Sequence, residues 1–257
     1  MRKALALTAT ALSLAACATT SEDATATAVY DPFEDWNRGV YAFNDGVDRA
    51  VLEPVARGYR AVTVEPVRDG VSNFLTNLNQ PIVFANTVLQ GKPLASFDTA
   101  TRFFVNSTVG IGGVFDVATA LEVPEHREDF GQTLGTWGVP NGPYIVLPLL
   151  GASNLRDTVG FGVDNAFDPL NYISFENDTA FLATRQVVNV VSIRENVIEA
   201  VEILRDQPEP YVALRRNYTQ QRAAAIRDGR EQEDPFKDLP EFDDYDFGDE
   251  EDFESQE

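Results

Sequence analysis

The only cysteine of the chain, Cys17, follows a short apolar segment and is the feature that most limits how the chain can fold. Arg2 and Lys3 precede an uncharged stretch rich in Ala and Leu, which runs from Ala4 to Ala16 in the pattern of a secretory signal. This stretch is shorter than the roughly 20 residues that a membrane-spanning helix needs. Because the sequence has one cysteine, the exported chain must fold without an internal disulfide.

The three residues before Cys17 form a lipobox, at which a signal peptidase cleaves and the thiol receives a diacylglycerol. This pattern predicts a signal peptide over residues 1–16 and a lipidated flexible tether over residues 17–30. The alternative is an ordinary cleavable signal with a cysteine nearby by chance. Two or three acyl chains give stable membrane anchoring, whereas one chain would be marginal. Because Ala18 stands where retention at the inner membrane commonly requires Asp, the sequence favours the outer membrane.

Residues 229–257 carry most of the formal net charge of −21. Their acids alternate with aromatic residues, and such a composition cannot bury enough apolar surface to offset the entropy lost on ordering. We therefore predict a disordered acidic tail, which is either simply solvated or a short docking segment for a partner protein. A chain this acidic repels phosphate backbones, so nucleic acid is excluded as a partner.

The region between the tether and the tail, residues 31–228, is long enough for one large domain and contains repeated helical patterns. Apolar residues recur every three or four positions from Trp36 to Val51, which predicts an amphipathic helix that ends at Pro54. The same periodicity predicts helices from Val67 up to Pro81, from Ile82 to Gly91, from Leu94 to Val109, from Thr179 to Leu204 and from Pro210 through Tyr218. Because alternating strand patterns are scarce, the predicted fold class is all-α, with a single helical domain.

Two segments rich in glycine interrupt these helical patterns. The first, residues 110–115, contains Gly110, Gly112 and Gly113 and is too short to span a membrane. It is either a close helix-packing point or a segment that dips into one leaflet. The second, residues 137–151, combines prolines with apolar residues, which excludes a regular helix and argues against a central strand. We expect it to be a structured but irregular apolar loop.

Nothing in the sequence indicates an enzyme. His126 is the sole histidine, and its charged neighbours predict a solvated polar loop. The nearest match to a nucleophile elbow, residues 151–155, lacks the second glycine and a preceding strand. The sequence also lacks a phosphate-binding loop and a cysteine-based metal site. We therefore predict no catalytic residues, no cofactor and no metal.

Several long motifs of the chain occur in the order in which MlaA/VacJ lipoproteins carry them. They are Asp31-Pro32, Asn37-Arg38, Tyr41 to Asn44, RDGVSNFLTNLNQP at 68–81, NTVLQG at 86–91, TRFFVNSTVGIGGVFDVA at 101–118, FGQTLGTWGVPNGPYIVLP at 130–148 and PYVALRRNY at 210–218. The chain therefore resembles this family over nearly the whole predicted domain. Its acidic, aromatic-studded tail departs from the family pattern.

The resemblance implies a ring-like helical protein in the inner leaflet of the outer membrane, with an amphipathic channel and a trimeric porin beside it. It also implies that phospholipid is removed from the outer leaflet and passed to a periplasmic lipid carrier of MlaC type, with no bond broken. Gly138 and Gly142 are hinge candidates in a channel-gating loop, although tight turns would explain them as well. The family motif implies that Tyr41, Phe43 and Asn44 help to hold the channel closed, and packing alone would also explain the two aromatic residues.

Two functions are left open by the sequence itself. One is a lipid-translocating channel, and the other is a porin-associated structural lipoprotein without transport activity. A channel requires an interior lined by polar residues on otherwise apolar helices, whereas a scaffold does not. The irregular apolar segments at residues 110–113 and 135–148 are the kind of structure that a lipid passage would need.

Overall fold

The computed structural model describes residues 29–174 and 176–228. In chain order the elements are α1 Glu34–Val47, a π-helical turn Asp48–Leu52, α2 Glu53–Val62, α3 Glu65–Leu89, α4 Pro93–Thr108, α5 Val117–Ala120, α6 Phe130–Thr136, β1 Tyr144–Leu147, β2 Gly151–Asn154, α7 Leu155–Phe167, a 3-10 turn Pro169–Tyr172, α8 Asp178–Asn196, α9 Ile198–Arg205 and α10 Pro210–Ile226. The predicted helical fold class is confirmed. The signal peptide, Cys17, nearly all of the tether and the acidic tail lie outside the described residues and stay predictions.

The prediction that the first helix ends at Pro54 is wrong. α1 continues through the π-helical turn into α2, and Pro54 lies in the first turn of α2. The π-helical turn shifts the backbone hydrogen-bond register, because the Glu53 N–H donates to the Asp48 carbonyl. With the register shifted, the helix can continue through Pro54, which has no backbone N–H to donate.

Two other helix boundaries also differ from the predictions. Pro81 lies inside α3, which is one helix of 25 residues rather than two. The proline removes one backbone hydrogen bond, but α3 packs against α4, α6, α7 and α8, and such packing supplies most of the stability of a helix. Conversely, the helix predicted from Thr179 to Leu204 is divided at Val197, whose backbone is not helical, into α8 and α9.

The segment that we expected to be an irregular loop contains a β-hairpin. β1 pairs antiparallel with β2, from Tyr144 opposite Asn154 to Leu147 opposite Gly151. The prolines of the segment lie before and after β1 and not within it, so none of them removes a hydrogen bond from the ladder. The turn between the strands has a positive φ at Leu149 and at Gly151.

The elements contact one another in a closed circuit. Contacts run from α1 to the hairpin, then through α7, α6, α3, α8 and α2, and return to α1 through the π-helical turn. α4 packs on the side of α3, and α10 contacts α6, α9 and β2. Among the residues described, no helix combines the length and the apolar character needed to cross a bilayer.

Polar residues fill the interior of this fold, and large apolar residues cover much of its surface. Among the described residues, those that are buried and polar outnumber those that are buried and apolar. α4 shows the pattern clearly: Phe97 is 71% exposed, whereas Thr99 is 0% exposed and Arg102 and Asn106 are also buried. A surface with this much exposed apolar area marks a region that contacts lipid or another protein.

Ion pairs join the N-terminal helices to α8 and α9. Arg194 of α8 binds the carboxylate of Asp48 through two nitrogens, at 2.6 and 2.9 Å. Arg205 of α9 donates to Asp45 and Asp48, both at 2.7 Å, and to Glu53. Because Arg194 is buried, loss of Asp48 would leave it with only the more distant carboxylate of Glu53, at 3.5 Å, as a counter-ion.

Candidate functional site

A polar chamber of about 410 Å³ lies between α3 and α8. α8 turns Arg185, Asn189, Ser192 and Asn196 toward it, at spacings of four, three and four residues that place them on one helical face. The apolar residues Val187 and Val190 alternate with them and are exposed on the outside. Ile193 of α8 also lines the chamber, so the inner face of this helix is mainly rather than wholly polar.

α3 supplies the opposite wall, and the segment before α6 supplies the third side. The α3 residues that line the chamber are Ser72, Leu75, Thr76, Asn79, Gln80 and Val83, and those of the third side are Glu125 to Asp129. Segment 125–129 is held by its flanks, because Glu128 accepts from Lys92 Nζ at 2.9 Å and Asp129 caps α6 through the Gln132 N–H. The chamber walls are thus fixed by the fold.

The acidic and arginine side chains that line the chamber each have a partner of opposite charge, and His126 has a carboxylate beside it. Arg185 pairs with the buried Asp168, which in turn accepts from the Leu170 N–H at 3.1 Å. Arg127 pairs with Glu125 at 3.0 Å, and His126 lies 3.0 Å from Asp98. The Asp168 bond engages only Nη1 of Arg185. The rest of that guanidinium can therefore bind an anion in the chamber.

The uncharged polar groups of the chamber are free to bind a ligand. Their side chains make no hydrogen bond to any other part of the described chain, and they are Ser72, Thr76, Asn79, Gln80, Asn189, Ser192 and Asn196. Gln80 and Ser192 are buried nonetheless. Buried polar groups normally have partners, so these two side chains face water or a polar ligand, whereas Asn79 and Asn196 are exposed to solvent.

Asn44, one of the residues that we singled out in the sequence, fixes the hairpin turn. Its side-chain amide donates to the Leu147 carbonyl at 2.9 Å and accepts from the Leu149 N–H at 2.8 Å. Tyr41 packs edge-on against Tyr211 with ring centroids 6.1 Å apart. Phe43 is exposed on the outside of α1.

Asn37 fixes strand β1 in the same way; the sequence analysis named it only within a family motif and gave it no role. Its amide donates to Asp31 at 2.8 Å and to the Tyr144 carbonyl at 3.0 Å, and it accepts from the Val146 N–H at 2.8 Å. Asn37 and Asn44 are seven residues apart and therefore lie on one face of α1. That spacing of two asparagines is the signal that could have identified the pair.

The glycine candidates lie in two separate places, and neither group lines the chamber. Gly138 and Gly142 have positive φ values of 87° and 68° in the connection between α6 and β1. Gly110, Gly112 and Gly113 form the tight turn that ends α4 and packs on α3. Tight turns explain the positive φ values of Gly138 and Gly142. That these two glycines act as hinges stays a prediction.

A side chain at Gly113 would be poorly tolerated in this turn. Its φ is 96°, and a Cβ added there would lie 2.4 Å from the Cβ of Asn77 on α3. Gly113→Ala is therefore expected to lower the free energy of unfolding by about 2–4 kcal/mol, because strain and overpacking add. Gly39→Ala is the matched control, since Gly39 lies inside α1 with open space around it, and it should stabilise by about 0.5–1 kcal/mol. Equal midpoints of urea unfolding for the two variants would contradict the assigned packing.

A partly buried ionic network ties α10 to the N-terminal cap of α6 and to α7. Arg222 donates to Asp129 at 2.6 and 2.8 Å and to Asp157 at 2.8 Å. Burial acts to raise the pKa of both carboxyls, but the hydrogen bonds and charge of Arg222 outweigh it, so both pKa values lie below the usual range. The neighbouring Asp164 differs, because burial raises its pKa despite hydrogen bonds from the Phe130 N–H and Asn86.

These pKa shifts predict acid sensitivity. A carboxyl whose pKa is depressed on folding stabilises the fold above its unfolded pKa, and this contribution is lost as the pH falls through the folded pKa. The free energy of unfolding should therefore decline below about pH 4. Asp164 opposes this trend, because its raised pKa favours the folded state as the pH falls. In urea titrations at several pH values, Arg222→Gln should flatten the acid decline, and an unchanged slope would exclude Asp129 and Asp157 as its source.

The groups considered for catalysis are engaged in other contacts. Ser153, in the segment that faintly matched a nucleophile elbow, lies in β2 and is 3.0 Å from the Thr158 hydroxyl. His126 is partly buried beside Asp98 and lines the chamber, rather than lying in a fully solvated loop as predicted. Among the residues described, no group of three or more acidic, histidine or cysteine side chains is arranged to hold a metal ion.

The fold and the chamber together define a class: a helical protein with many exposed apolar side chains and a polar interior, whose surface suits contact with lipid or with another protein. The comparisons identify the family. A family model described as MlaA lipoprotein matches residues 29–225. The chain belongs to the MlaA lipoprotein family.

Relatives and a solved structure support this membership. An uncharacterized protein of Rickettsia felis is 37% identical over 202 residues, which are 77% of this chain and 79% of that protein. The intermembrane phospholipid transport system lipoprotein MlaA of Haemophilus influenzae is 33% identical over 224 residues, 86% of this chain and 88% of that protein. A structure described as the structural basis for maintenance of bacterial outer membrane lipid asymmetry is 34% identical, with a TM-score of 0.68, and covers 76% of this chain and 98% of that chain.

Proposed function

We propose that this protein removes phospholipids from the outer leaflet of the outer membrane and passes them to a periplasmic carrier, which maintains lipid asymmetry. The observation that carries the proposal is the polar chamber between α3 and α8, inside a helical body whose surface is apolar. This is the arrangement that separates a lipid channel from a scaffold, because a scaffold has no use for a polar interior.

The chamber lowers the cost of moving a headgroup through the membrane. A charged or strongly polar group is expensive to place in hydrocarbon without hydrogen bonds. The uncharged side chains of α3 and α8 supply those hydrogen bonds, and Arg185, held by Asp168, supplies a fixed positive charge for the phosphate. The acyl chains stay outside, against the exposed apolar side chains of the helices. No covalent bond changes in this step, so no catalytic residue is required.

The gate of this passage is the hairpin segment, which does not itself line the chamber and is joined to its α3 wall through α7. Gly138 and Gly142 provide backbone freedom at its start, and Asn44 holds its turn through two hydrogen bonds. Tyr41 supports the same region of α1 by packing against Tyr211. Breaking the Asn44 contacts frees the turn between β1 and β2. In this way the motif from Tyr41 to Asn44 controls whether the channel is open or closed.

The protein is held at the inner leaflet of the outer membrane by acyl chains on Cys17. Its partners are a trimeric porin, beside the apolar surface, and a soluble lipid carrier of MlaC type on the periplasmic side. The apolar side chains exposed on α4 and α8 suit immersion in one leaflet without a membrane-spanning helix.

The test is the phospholipid content of the outer leaflet in cells that lack this protein. It is read with an outer-membrane enzyme that acylates lipid A from surface phospholipid. Surface phospholipid should rise in the deletion strain, and the wild-type chain should restore it. Cys17→Ala should fail to restore it if the acyl anchor is required.

The second candidate, a porin-associated structural lipoprotein, predicts a different outcome in the same strains. Envelope integrity would fail while surface phospholipid stayed at the wild-type level. That result would overturn the transport proposal, because a scaffold without transport activity gives no reason for lipid to accumulate at the surface.

A further inference from the structure

A second cavity, the cleft, lies between segment 125–128 and the start of α4. Its volume is about 580 Å³, and its α4 side includes Pro93, Leu94 and Ala95. All four residues of segment 125–128 line both the cleft and the chamber. The two cavities therefore adjoin along this segment, and a ligand that moves from one to the other passes it.

The cleft presents an apolar wall and a charged wall to the same ligand. The apolar wall is the start of α4, where Leu94 is 80% exposed. This wall continues into the outer surface of α4, because Phe97 is also exposed about one turn further along. The charged wall is segment 125–128. A phospholipid has the matching division, because its acyl chains are apolar and its phosphate is an anion.

Arg127 carries the accessible positive charge of the charged wall. Its side chain is 85% exposed, and in the described chain its guanidinium bonds only to Glu125, from Nε at 3.0 Å. The lysine and the other arginine that line the two cavities are less accessible: the side chains of Lys92 and Arg185 are 19% and 13% exposed, and each is paired with a carboxylate. The two terminal nitrogens of Arg127 are therefore left to bind an anion, and such a fork suits the oxygens of a phosphate.

The acidic residues that line the cleft do not prevent this binding, because each of them has a basic partner. Glu128 and Asp228 contact Lys92, Asp98 contacts His126, and Glu125 contacts Arg127. The last pair is exposed to water, and an exposed ion pair contributes little to stability. A phosphate can therefore replace Glu125 at Arg127 with little loss.

The backbone of Arg127 is fixed, whereas its side chain is not. The Arg127 carbonyl accepts a hydrogen bond from Gln132 Nε2 at 2.9 Å, and the next residue, Glu128, accepts from Lys92 at 2.9 Å. The base of the side chain therefore stays where the two cavities adjoin. An arginine side chain has several rotatable bonds, so the exposed guanidinium can turn toward either cavity without a movement of the backbone.

We infer that Arg127 captures the phosphate of a phospholipid at the cleft and guides it into the chamber, while the acyl chains lie against Leu94 and the outer surface of α4. The transfer is an exchange of ion pairs, in which the phosphate leaves Arg127 for Arg185 and Glu125 then pairs with Arg127 again. No covalent bond changes. The inference rests on the proposed function and adds to it the route by which the headgroup reaches the chamber.

The experiment follows how fast lipid is loaded onto the full lipidated chain, purified in detergent and freed of bound lipid. The protein is mixed with detergent micelles that contain either dioleoyl phosphatidylglycerol or dioleoylglycerol, which has the same acyl chains without the phosphate. It is separated at successive times, and its bound lipid is quantified by mass spectrometry. Arg127→Gln should slow the loading of phosphatidylglycerol about fivefold at low salt, because a charge at the rim of a site acts mainly on the association rate. The loading of dioleoylglycerol should not change.

Three further measurements separate capture of the phosphate from a structural effect. The difference between Arg127→Gln and the wild type should shrink as the salt concentration rises, because exposed charges are screened. Arg127→Lys should recover part of the rate, because it restores the charge without the fork. Inorganic phosphate should slow loading no more than chloride at the same ionic strength. Stronger slowing would assign Arg127 to free phosphate and overturn the inference.

Arg49→Gln is the matched control, because Arg49 is an exposed arginine that pairs with Asp45 through Nε at 2.8 Å and lines neither cavity. It should load phosphatidylglycerol as the wild type does, and thermal unfolding checks that both variants fold. The inference is overturned if Arg127→Gln loads phosphatidylglycerol at the wild-type rate, if it slows dioleoylglycerol equally, or if Arg49→Gln slows loading as much. A wild-type protein that takes up no phospholipid would overturn the proposed function as well, so the two failures can be told apart.

Discussion

Ser192→Trp is expected to abolish most of the phospholipid removal carried out by this protein. Ser192 is buried on the inner face of α8, and its side chain points into the chamber of about 410 Å³. An indole in that position occupies the space and the hydrogen-bonding surface that a headgroup needs. Because a filled site cannot bury its ligand, activity should fall below about a tenth of the wild-type level. The measurement is the surface phospholipid of a deletion strain complemented with the variant.

Val190→Trp is the control for this experiment, because Val190 is two residues away on the same helix and faces outward. It introduces the same bulk into α8 without entering the chamber, and it should restore the deletion strain as the wild-type chain does. Both proteins must be present at equal levels in the membrane fraction. Full activity of Ser192→Trp would mean that lipid does not pass through this chamber.

Asn37→Leu is expected to cause a large loss of stability. Asn37 is fully buried and bonds to the Tyr144 carbonyl and the Val146 N–H, both on β1. Leucine has nearly the same size but leaves both backbone groups unpaired, which should cost about 2–5 kcal/mol. For a domain of this length, the thermal midpoint should fall by about 5–15 °C.

Asn44→Leu provides the graded comparison. Asn44 makes the same kind of paired contact with the Leu147 carbonyl and the Leu149 N–H, but it is only partly buried, so water can replace its hydrogen bonds. Its loss should cost about 1 kcal/mol. If calorimetry gave equal losses for the two variants, burial would not be what makes the Asn37 contacts important.

The helices of this protein could largely be predicted from the sequence, but their ends and their orientation could not. The periodicity placed helices where α4, α8 and α9 lie, although it joined the last two into one, because a helix repeats every 3.6 residues whatever it faces. The same periodicity does not indicate which side of the helix is buried. Phe97 of α4 and Val187 of α8 are exposed on the outside of the protein. Only the structure shows that the polar face of α8 lies opposite α3 and lines the chamber.

The chamber and the cleft could not be predicted in the same way. Their residues come from α3, α4, α8 and the segment around Glu125, which are far apart in the sequence. Ser, Thr, Asn and Gln are common on solvent-exposed helix faces, so Gln80 and Ser192 carry no signal of their own. The polar spacing of Arg185, Asn189, Ser192 and Asn196 was visible, but a solvated face would have given the same spacing.

Pro54 and Pro81 show where local rules fail. Proline ends most helices because it lacks an N–H and its ring collides with the preceding turn. At Pro54 a π-helical turn shifts the backbone hydrogen bonds so that the helix continues without the proline N–H. At Pro81 the packing of α3 on four other helices outweighs the lost hydrogen bond. The outcome at Pro81 depends on contacts that lie outside the sequence window in which the rule is applied, whereas the change at Pro54 is a local change of backbone hydrogen bonding.

The sequence by itself determined the helical fold class and the family of this protein, because periodicity and long ordered motifs are local properties of the chain. It also predicted the export signal and the acyl anchor at Cys17. Only the tertiary structure decided that the polar faces of the helices meet around a chamber, that Asn37 and Asn44 hold the hairpin, and that Arg127 lies where the chamber and the cleft adjoin. The reason is physical: the burial and the partners of a polar side chain are set by residues distant in sequence, and the same side chain on a solvated helix would have neither.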